Sequence, residues 1–286
     1  MNYTQLKTAI EDYTQNYETT FIANLPVFIT QAEQRIYNSV QFPSIRKNVT
    51  TSIAASNKYV SCPSDYLSTY SLAIYTTAST TATGSISAAT ITVSNNTGIV
   101  VGQYVTGSGI GAGAYVVAVV STTITLSVVN SGTVSGTINF QGEYLYLLNK
   151  DVNFIRQAYP TPNSTGIPQY YALFGPTVTS GVITNELSFI LGPTPDAAYN
   201  AELHYYYYPE SITVAASGTT WLGDNFDTVL LYASLVEAYT FMKGETDMMT
   251  LYNQKFVEAL ALAKRLGDGL ERQDAYRTPQ FRQAVN

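Results

Sequence analysis

Charge is what this sequence has least of. Asp, Glu, Lys and Arg make up only 12% of it, and between residues 66 and 142 there is none. Cys62 is the single cysteine, which excludes an intramolecular disulfide and a cysteine-based metal cluster. His204 is the single histidine, so a histidine-rich metal site is excluded as well. Ser, Thr and Gly interrupt every long apolar window, so no membrane span is expected. No apolar run follows a basic start, and no signal peptide is expected. The patterns G-x-S-x-G, H-E-x-x-H and G-x-x-x-x-G-K-[ST] are absent. A net charge of −6 argues against a surface built to grip nucleic acid, which needs clustered Lys and Arg. It would suit a surface that DNA slides past, but ordinary acidic solubility is the better explanation of the charge alone.

What is abundant is Ser, Thr, Tyr and Gly, in a chain of 286 residues that can bury one large core or two smaller ones. That composition fits a β-rich structural protein better than a cytosolic enzyme. The strongest local pattern lies at residues 221–267. Phe226, Val229, Leu230, Ala233, Val236 and Phe241 recur near helical spacing, with Asp224 placed as an N-cap and Lys243-Gly244 as a stop. Thr246 then caps a second helix carrying Met248, Leu251, Tyr252, Phe256, Ala259, Leu260 and Ala263, which Gly267 ends. Two such helices must fold back on each other to hide their apolar faces.

Residues 2–39 also read as helical. Leu6, Ile10 and Tyr13 form a first stripe; Asn24 then caps a helix with Pro26 in its first turn and Phe28, Ile29, Ala32 and Ile36 inward. Gln31, Glu33, Gln34 and Arg35 are expected to face outward. The two chain ends therefore share one helical bundle. Between them, residues 48–75 and 143–208 read as antiparallel strands, with a turn at 55–57 between the first two. A short helix or turn falls at 151–156, strands at 170–174, 186–191 and 201–208, and the last two are joined by the turn Gly192–Asp196.

The uncharged stretch 78–142 alternates at Ile86, Ile91 and Val93, at Ile124, Leu126 and Val128, and at Val134, Ile138 and Phe140. That favours a folded sandwich or barrel of about five strands over disorder. Its flanks, Leu72–Tyr75 and Glu143–Leu148, would pair as a hairpin without it, so the stretch reads as a module inserted at a hairpin tip. The fold class is α+β: a helical bundle from the N- and C-terminal helices (2–39 and 224–266), an antiparallel β middle region, and an inserted all-β module. The core is thus 1–77 with 143–286, and the inserted module is 78–142.

Chemical candidates are few. Glu202 and Tyr206 share a strand face with His204, so an acid–base pair is conceivable, but no nucleophile accompanies it. The simpler reading is a strand histidine hydrogen-bonded in place. The tyrosines 205–208, with Tyr170 and Tyr171, suit a sheet or an interface better than a sugar-stacking site. Gly107, Gly109, Gly111 and Gly113 serve turns, since no capped helix follows them. No cofactor, metal or catalytic residue is expected. Residues 270–286 read as an extended tail in which Arg272, Tyr276, Arg277, Phe281 and Arg282 are of the types that anchor interfaces.

Three stretches together resemble the head-to-tail adaptor proteins of short-tailed bacteriophages. They are A-E-Q-R-I at 32–36, L-S-F-I-L-G-P-T-P-D-A-A-Y at 187–199 leading into L-H-Y-Y-Y-Y-P, and W-L-G-D-N-F-D-T-V-L-L-Y-A-S-L-V-E-A-Y at 221–239. The resemblance covers residues 1–75 and 143–286, and the insert is similar to small β-domains found within phage structural proteins. It implies a virion protein of the neck, assembled in the host cytoplasm as a ring, usually of twelve copies, between the portal protein and the tail tube or nozzle. Double-stranded DNA would pass through the lumen without sequence-specific binding, and no membrane is involved. It also implies that the tail, through Arg272, Tyr276, Arg277, Phe281 and Arg282, docks on the portal. Phe226, Leu230, Tyr239, Tyr252 and Phe256 would pack between subunits, and the insert is a candidate contact for tail fibres. The competing reading is a tail-fibre or surface protein that binds glycans through the insert and tyrosines; a hydrolase built on His204 and Glu202 is the third.

Overall fold

The computed structural model describes residues 1–161, 163–179, 182–185 and 187–273. The fold is α+β, and the chain divides into a helical unit (1–47 with 206 onward) and a β unit (48–205). The helices are α1 (Tyr3–Thr14), α2 (Thr19–Ser39), α3 (Val152–Ala158), α4 (Trp221–Asn225), α5 (Asp227–Met242) and α6 (Thr246–Gln273).

In the helical unit α1 opens on a capping box: Gln5 N donates to Asn2 Oδ1 at 2.9 Å and Asn2 N to Gln5 Oε1 at 3.0 Å. Leu6 and Ile10 are fully buried. The second helix begins at Thr19, five residues before the expected cap, and Asn24 lies inside it, donating to the Thr20 carbonyl. Pro26 is thus interior, where it cannot donate to Ile22 O. The helix forms through it because Phe21 and Leu25 on one side and Phe28, Ile29, Ala32 and Ile36 on the other bury one continuous face.

Helix α5 is apolar on nearly every side. Val229, Leu230, Ala233, Leu235, Val236 and Ala238 are all buried because α1, α2, α4 and α6 each pack on it. It forms the expected hairpin with α6 and is also the central rod of the unit. The expected cap Asp224 instead accepts from Thr219 Oγ1, while Thr220 caps α4. Phe226 breaks the helix between α4 and α5, its ring held against Phe42 and Trp221. At the far end Lys243 takes the left-handed turn (φ 52°). Gly244 is needed for a different reason: a Cβ there would meet the Tyr239 ring at 2.6 Å. Thr246 is the first helical residue of α6, not its cap. The helix then runs through Gly267 and Gly269 to Gln273, beyond the predicted stop and into the predicted extended tail. Glycine costs a helix only about 1 kcal/mol, too little to end one that is otherwise made of good helix formers.

Glu33, expected outward, is buried. Its Oε1 accepts from Ile212 N at 2.9 Å and fixes the loop after residue 209 against α2. Burial pushes its carboxyl above the ordinary glutamate range, opposed by the hydrogen bonds from Ser211 and Ile212. The folded chain therefore keeps a proton that the unfolded chain has released, so stability falls as pH rises from about 4 through the raised value. In Glu33→Gln, which keeps the acceptor, urea midpoints measured from about pH 4 to 7 should lose this slope.

The β unit begins with β1 (Arg46–Ile53), β2 (Tyr59–Ser61) and β3 (Ser68–Tyr75). The uncharged stretch forms β4 (Thr77–Gly84), β5 (Thr90–Val93), β6 (Tyr104–Thr106), β7 (Val116–Val120), β8 (Thr123–Leu126) and β9 (Val134–Gln141). After it come β10 (Leu145–Tyr146), β11 (Leu148–Asn149), β12 (Thr165–Gly166), β13 (Tyr170–Phe174), β14 (Thr177–Thr179), β15 (Val182–Asn185), β16 (Ser188–Gly192), β17 (Thr194–Pro195) and β18 (Tyr199–Tyr206).

Two four-stranded sheets, in the orders β1-β18-β3-β10 and β11-β13-β16-β2, make the base of this unit. Two expected hairpins are absent: β1 and β2 lie in different sheets, and so do β16 and β18. The chain changes sheet after Gly192 because β17 pairs with β12 (Thr194 opposite Thr165) instead of turning back on β16.

The flanks of the uncharged stretch do pair, Ile74 opposite Leu145 and Ala73 opposite Tyr146. Within it six strands run β6-β9-β4-β5-β8-β7, and the two ends of that order meet: Val105 N donates to Ala114 O and Val116 N to Gln103 O, each at 2.9 Å. The sheet closes into a small barrel and leaves no long free edge there. Ile91, Val93, Val116, Ile124, Leu126, Val134, Ile138 and Phe140 fill it, whereas Ile86 and Val128 from the same sequence pattern are exposed.

Candidate interaction surfaces

His204 and Glu202 do meet, side by side on β18, with Nε2 2.9 Å from Oε1. Asn48 Nδ2 donates to the same carboxylate at 2.8 Å, and the Tyr144 hydroxyl is a third partner. Burial alone would raise the Glu202 carboxyl; the donors Asn48, His204 and Tyr144 outweigh it and hold the group below its ordinary value. A carboxylate saturated with donors is a poor base, and the hydroxyl beside it is a phenol whose own pKa is raised. The arrangement is that of a hydrogen-bonded pair on a strand surface. Burial pushes the Cys62 thiol up to about 12, so it is no nucleophile. Among the described residues no three His, Cys, Asp or Glu side chains are placed to hold a metal ion.

The tyrosine run does not form a stacking platform. Tyr205 is buried with its hydroxyl donating to Asp65 Oδ1, Arg46 lies over the Tyr206 ring and Lys47 over Tyr207, and Tyr208 donates to Asn38 Oδ1. Tyr171 is buried too.

The β unit instead presents an apolar trough at the root of the barrel. Two hollows of about 500 and 410 Å³ share Leu145 and Ile167 in their walls. Val100, Val101, Leu145 and Ile167 are each 44–63% exposed along it, and Glu143 is the one charged lining residue among the described residues. Its rim is fixed by the buried Gln103. That side chain donates to Thr76 Oγ1 and Gly98 O and accepts from Val100 N, all at 3.0 Å. Tyr75 and Tyr144 pack at 4.7 Å beside it.

A second surface surrounds α3, which Asp151 caps and which packs on the sheet through Ile155, Ala172 and Ile190. Lys150 lies over the Phe154 ring at 5.5 Å, Arg156 over Phe174 at 5.3 Å and Lys58 over Tyr59 at 5.5 Å. Tyr59 and Phe174 are themselves 5.6 Å apart, and Phe154 meets Tyr170 at 5.4 Å. Sequence reasoning missed this face because Lys58 stands about ninety residues before Lys150 and Arg156 in the chain.

Of the residues expected to pack between subunits, Leu230, Tyr252 and Phe256 lie in the helical unit's own core. Phe226 and Tyr239 are half-buried at opposite ends of α5, Tyr239 against Tyr252 at 4.9 Å. The surface of the first three is already covered within the chain. Of the expected tail anchors, Arg272 falls in the last turn of α6, and Tyr276, Arg277, Phe281 and Arg282 lie outside the described residues.

Compared with known proteins, residues 1–283 match a family model described as SU10 adaptor protein. No curated protein matches the chain.

Proposed function

This chain belongs to the SU10 adaptor protein family, and on that premise we propose that its copies form a ring that joins the portal to the tail tube or nozzle and continues the DNA channel. A phage adaptor is a structural virion component that works by contact with other phage proteins, not by turnover of a substrate. The observation in the fold that carries the reading is the apolar trough at the barrel root. A lone soluble chain gains nothing from holding four aliphatic side chains in water on a hydrogen-bonded rim, whereas an assembly buries them. The net charge of −6 suits a protein past which DNA moves without sticking.

The portal contact is assigned to the segment after α6, which carries Tyr276, Arg277, Phe281 and Arg282 together with Arg272 in the helix itself. A segment that orders on its partner leaves the free protein a monomer or a weak oligomer until the portal templates the ring. Removing residues 274–286 should leave the circular dichroism melt unchanged and abolish binding to purified portal rings in electron micrographs. Truncated protein that still decorates portals normally would end the assignment of the tail. Label on intact virions at a place other than the neck would end the ring reading.

A further inference from the structure

The surface around α3 has a charge pattern that the rest of the β unit lacks. Residues 48–205 contain three cations, Lys58, Lys150 and Arg156, against six carboxylates. All three cations stand on this one face, each over an aromatic ring. Among the described residues none of them has an ion-pair partner, and Asp151 beside them is engaged in capping α3 through Asn153 N. Tyr59 and Phe154 are 42% and 40% exposed between them. Arginine and tyrosine are enriched in protein-binding faces, and three cations on a partly apolar floor complement carboxylates. Nucleic acid fits less well. Three phosphate contacts give a salt-sensitive and weak term, and a chain of net charge −6 repels the rest of the polymer.

The helical unit has the complementary surface. Asn16 Nδ2 lies 3.3 Å from Met242 Sδ, which brings the turn between α1 and α2 beside the turn between α5 and α6. Asp12, Glu18, Glu245 and Asp247 are all exposed at that end, with Lys243 as the one exposed cation beside them among the described residues. Identical copies that each carry six net negative charges repel overall, and a contact that pairs opposite signs offsets that repulsion. A contact between two different faces of the same chain repeats from copy to copy, and it closes into a ring when the rotation allows.

We propose that the cation–aromatic face around α3 of one copy receives the acidic end of the helical unit of the next copy. The inference rests on the ring reading and names one of its contacts. Two sets of variants test it on portal-templated assemblies counted by mass photometry and electron microscopy. One reverses the basic face (Lys58→Glu, Lys150→Glu, Arg156→Glu), and the other reverses the acidic end (Asp12→Lys, Glu18→Lys, Glu245→Lys, Asp247→Lys). Each set alone should reduce complete rings at least tenfold, and an equimolar mixture should restore them, because the reversed faces complement each other in alternation. Wild-type rings should also thin out as salt rises. Should a reversal set fail to melt like the wild type, the neutral set (Lys58→Gln, Lys150→Gln, Arg156→Gln) replaces it, with a several-fold loss expected. Rings that form normally from either set, or a mixture that is not restored, overturn this contact while the ring reading stands. Portals that collect no ring of wild-type protein overturn both.

Discussion

Leu230→Ala should cost the protein about 2–5 kcal/mol, a large share of the roughly 5–15 kcal/mol that holds a domain folded. The side chain is 0% exposed in the first turn of α5, the helix on which every other helix of its unit packs. Removing three carbons there leaves a hole that neighbours on several helices would all have to move to fill. Leu251→Ala provides the control. Both leucines belong to the helical apolar pattern of the sequence, yet Leu251 is 43% exposed on α6 and its loss should stay within about 0.5 kcal/mol. Urea midpoints at a fixed pH distinguish the two. Equal losses would mean that α5 is not the centre of the unit. Any effect of Leu230→Ala on assembly should follow from the fold, since the side chain has no surface left for a neighbour.

Gly109→Ala should disrupt the barrel more than any other single methyl group added to it. The residue sits at φ +80°, where an L side chain costs about 1–2 kcal/mol. A Cβ there would also meet Thr133 O at 2.5 Å, Thr133 C at 2.7 Å and Val134 N at 2.9 Å. Those atoms are backbone, not flexible side chain, and they lead directly into β9, where Val134 pairs with Gly84 of β4. Relieving the clash therefore means shifting the longest pairing of the barrel. Gly113→Ala isolates the two contributions: its φ is +72°, but nothing lies within 4 Å of the added carbon, so only the conformational cost of about 1 kcal/mol remains. Amide exchange in β4 and β9 should accelerate strongly for the first variant and little for the second. Indistinguishable exchange would mean that the approach of residues 109 and 133 is unimportant to the barrel.

Trough and cation–aromatic face differ in how they would respond to solvent. The trough is apolar and should hold its partner at high salt, whereas the face around α3 should release its own. Salt titration of assembled particles thus tells which contact yields first.

Local chemistry alone determined a good deal. Apolar spacing at 3.6 residues placed buried side chains such as Leu6, Ile29, Leu230 and Phe256 inward, and strict alternation placed Ile124, Leu126, Ile138 and Phe140 inside the barrel. The absence of charge from 66 to 142 marked off the strands of the barrel, and the pairing of its flanks was legible too, because a uniform composition and a hairpin partner are both visible in the linear text. What needed the tertiary structure was every choice that depends on distant neighbours. Whether a glycine ends a helix was one, since Gly267 and Gly269 lie inside α6. Whether Glu33 faces water was another, settled by the Ile212 amide 179 residues away. Which strands share a sheet, and that Lys58 stands on one face with Lys150 and Arg156, are decided by pairing and packing energies summed over the whole molecule. No window of sequence contains them.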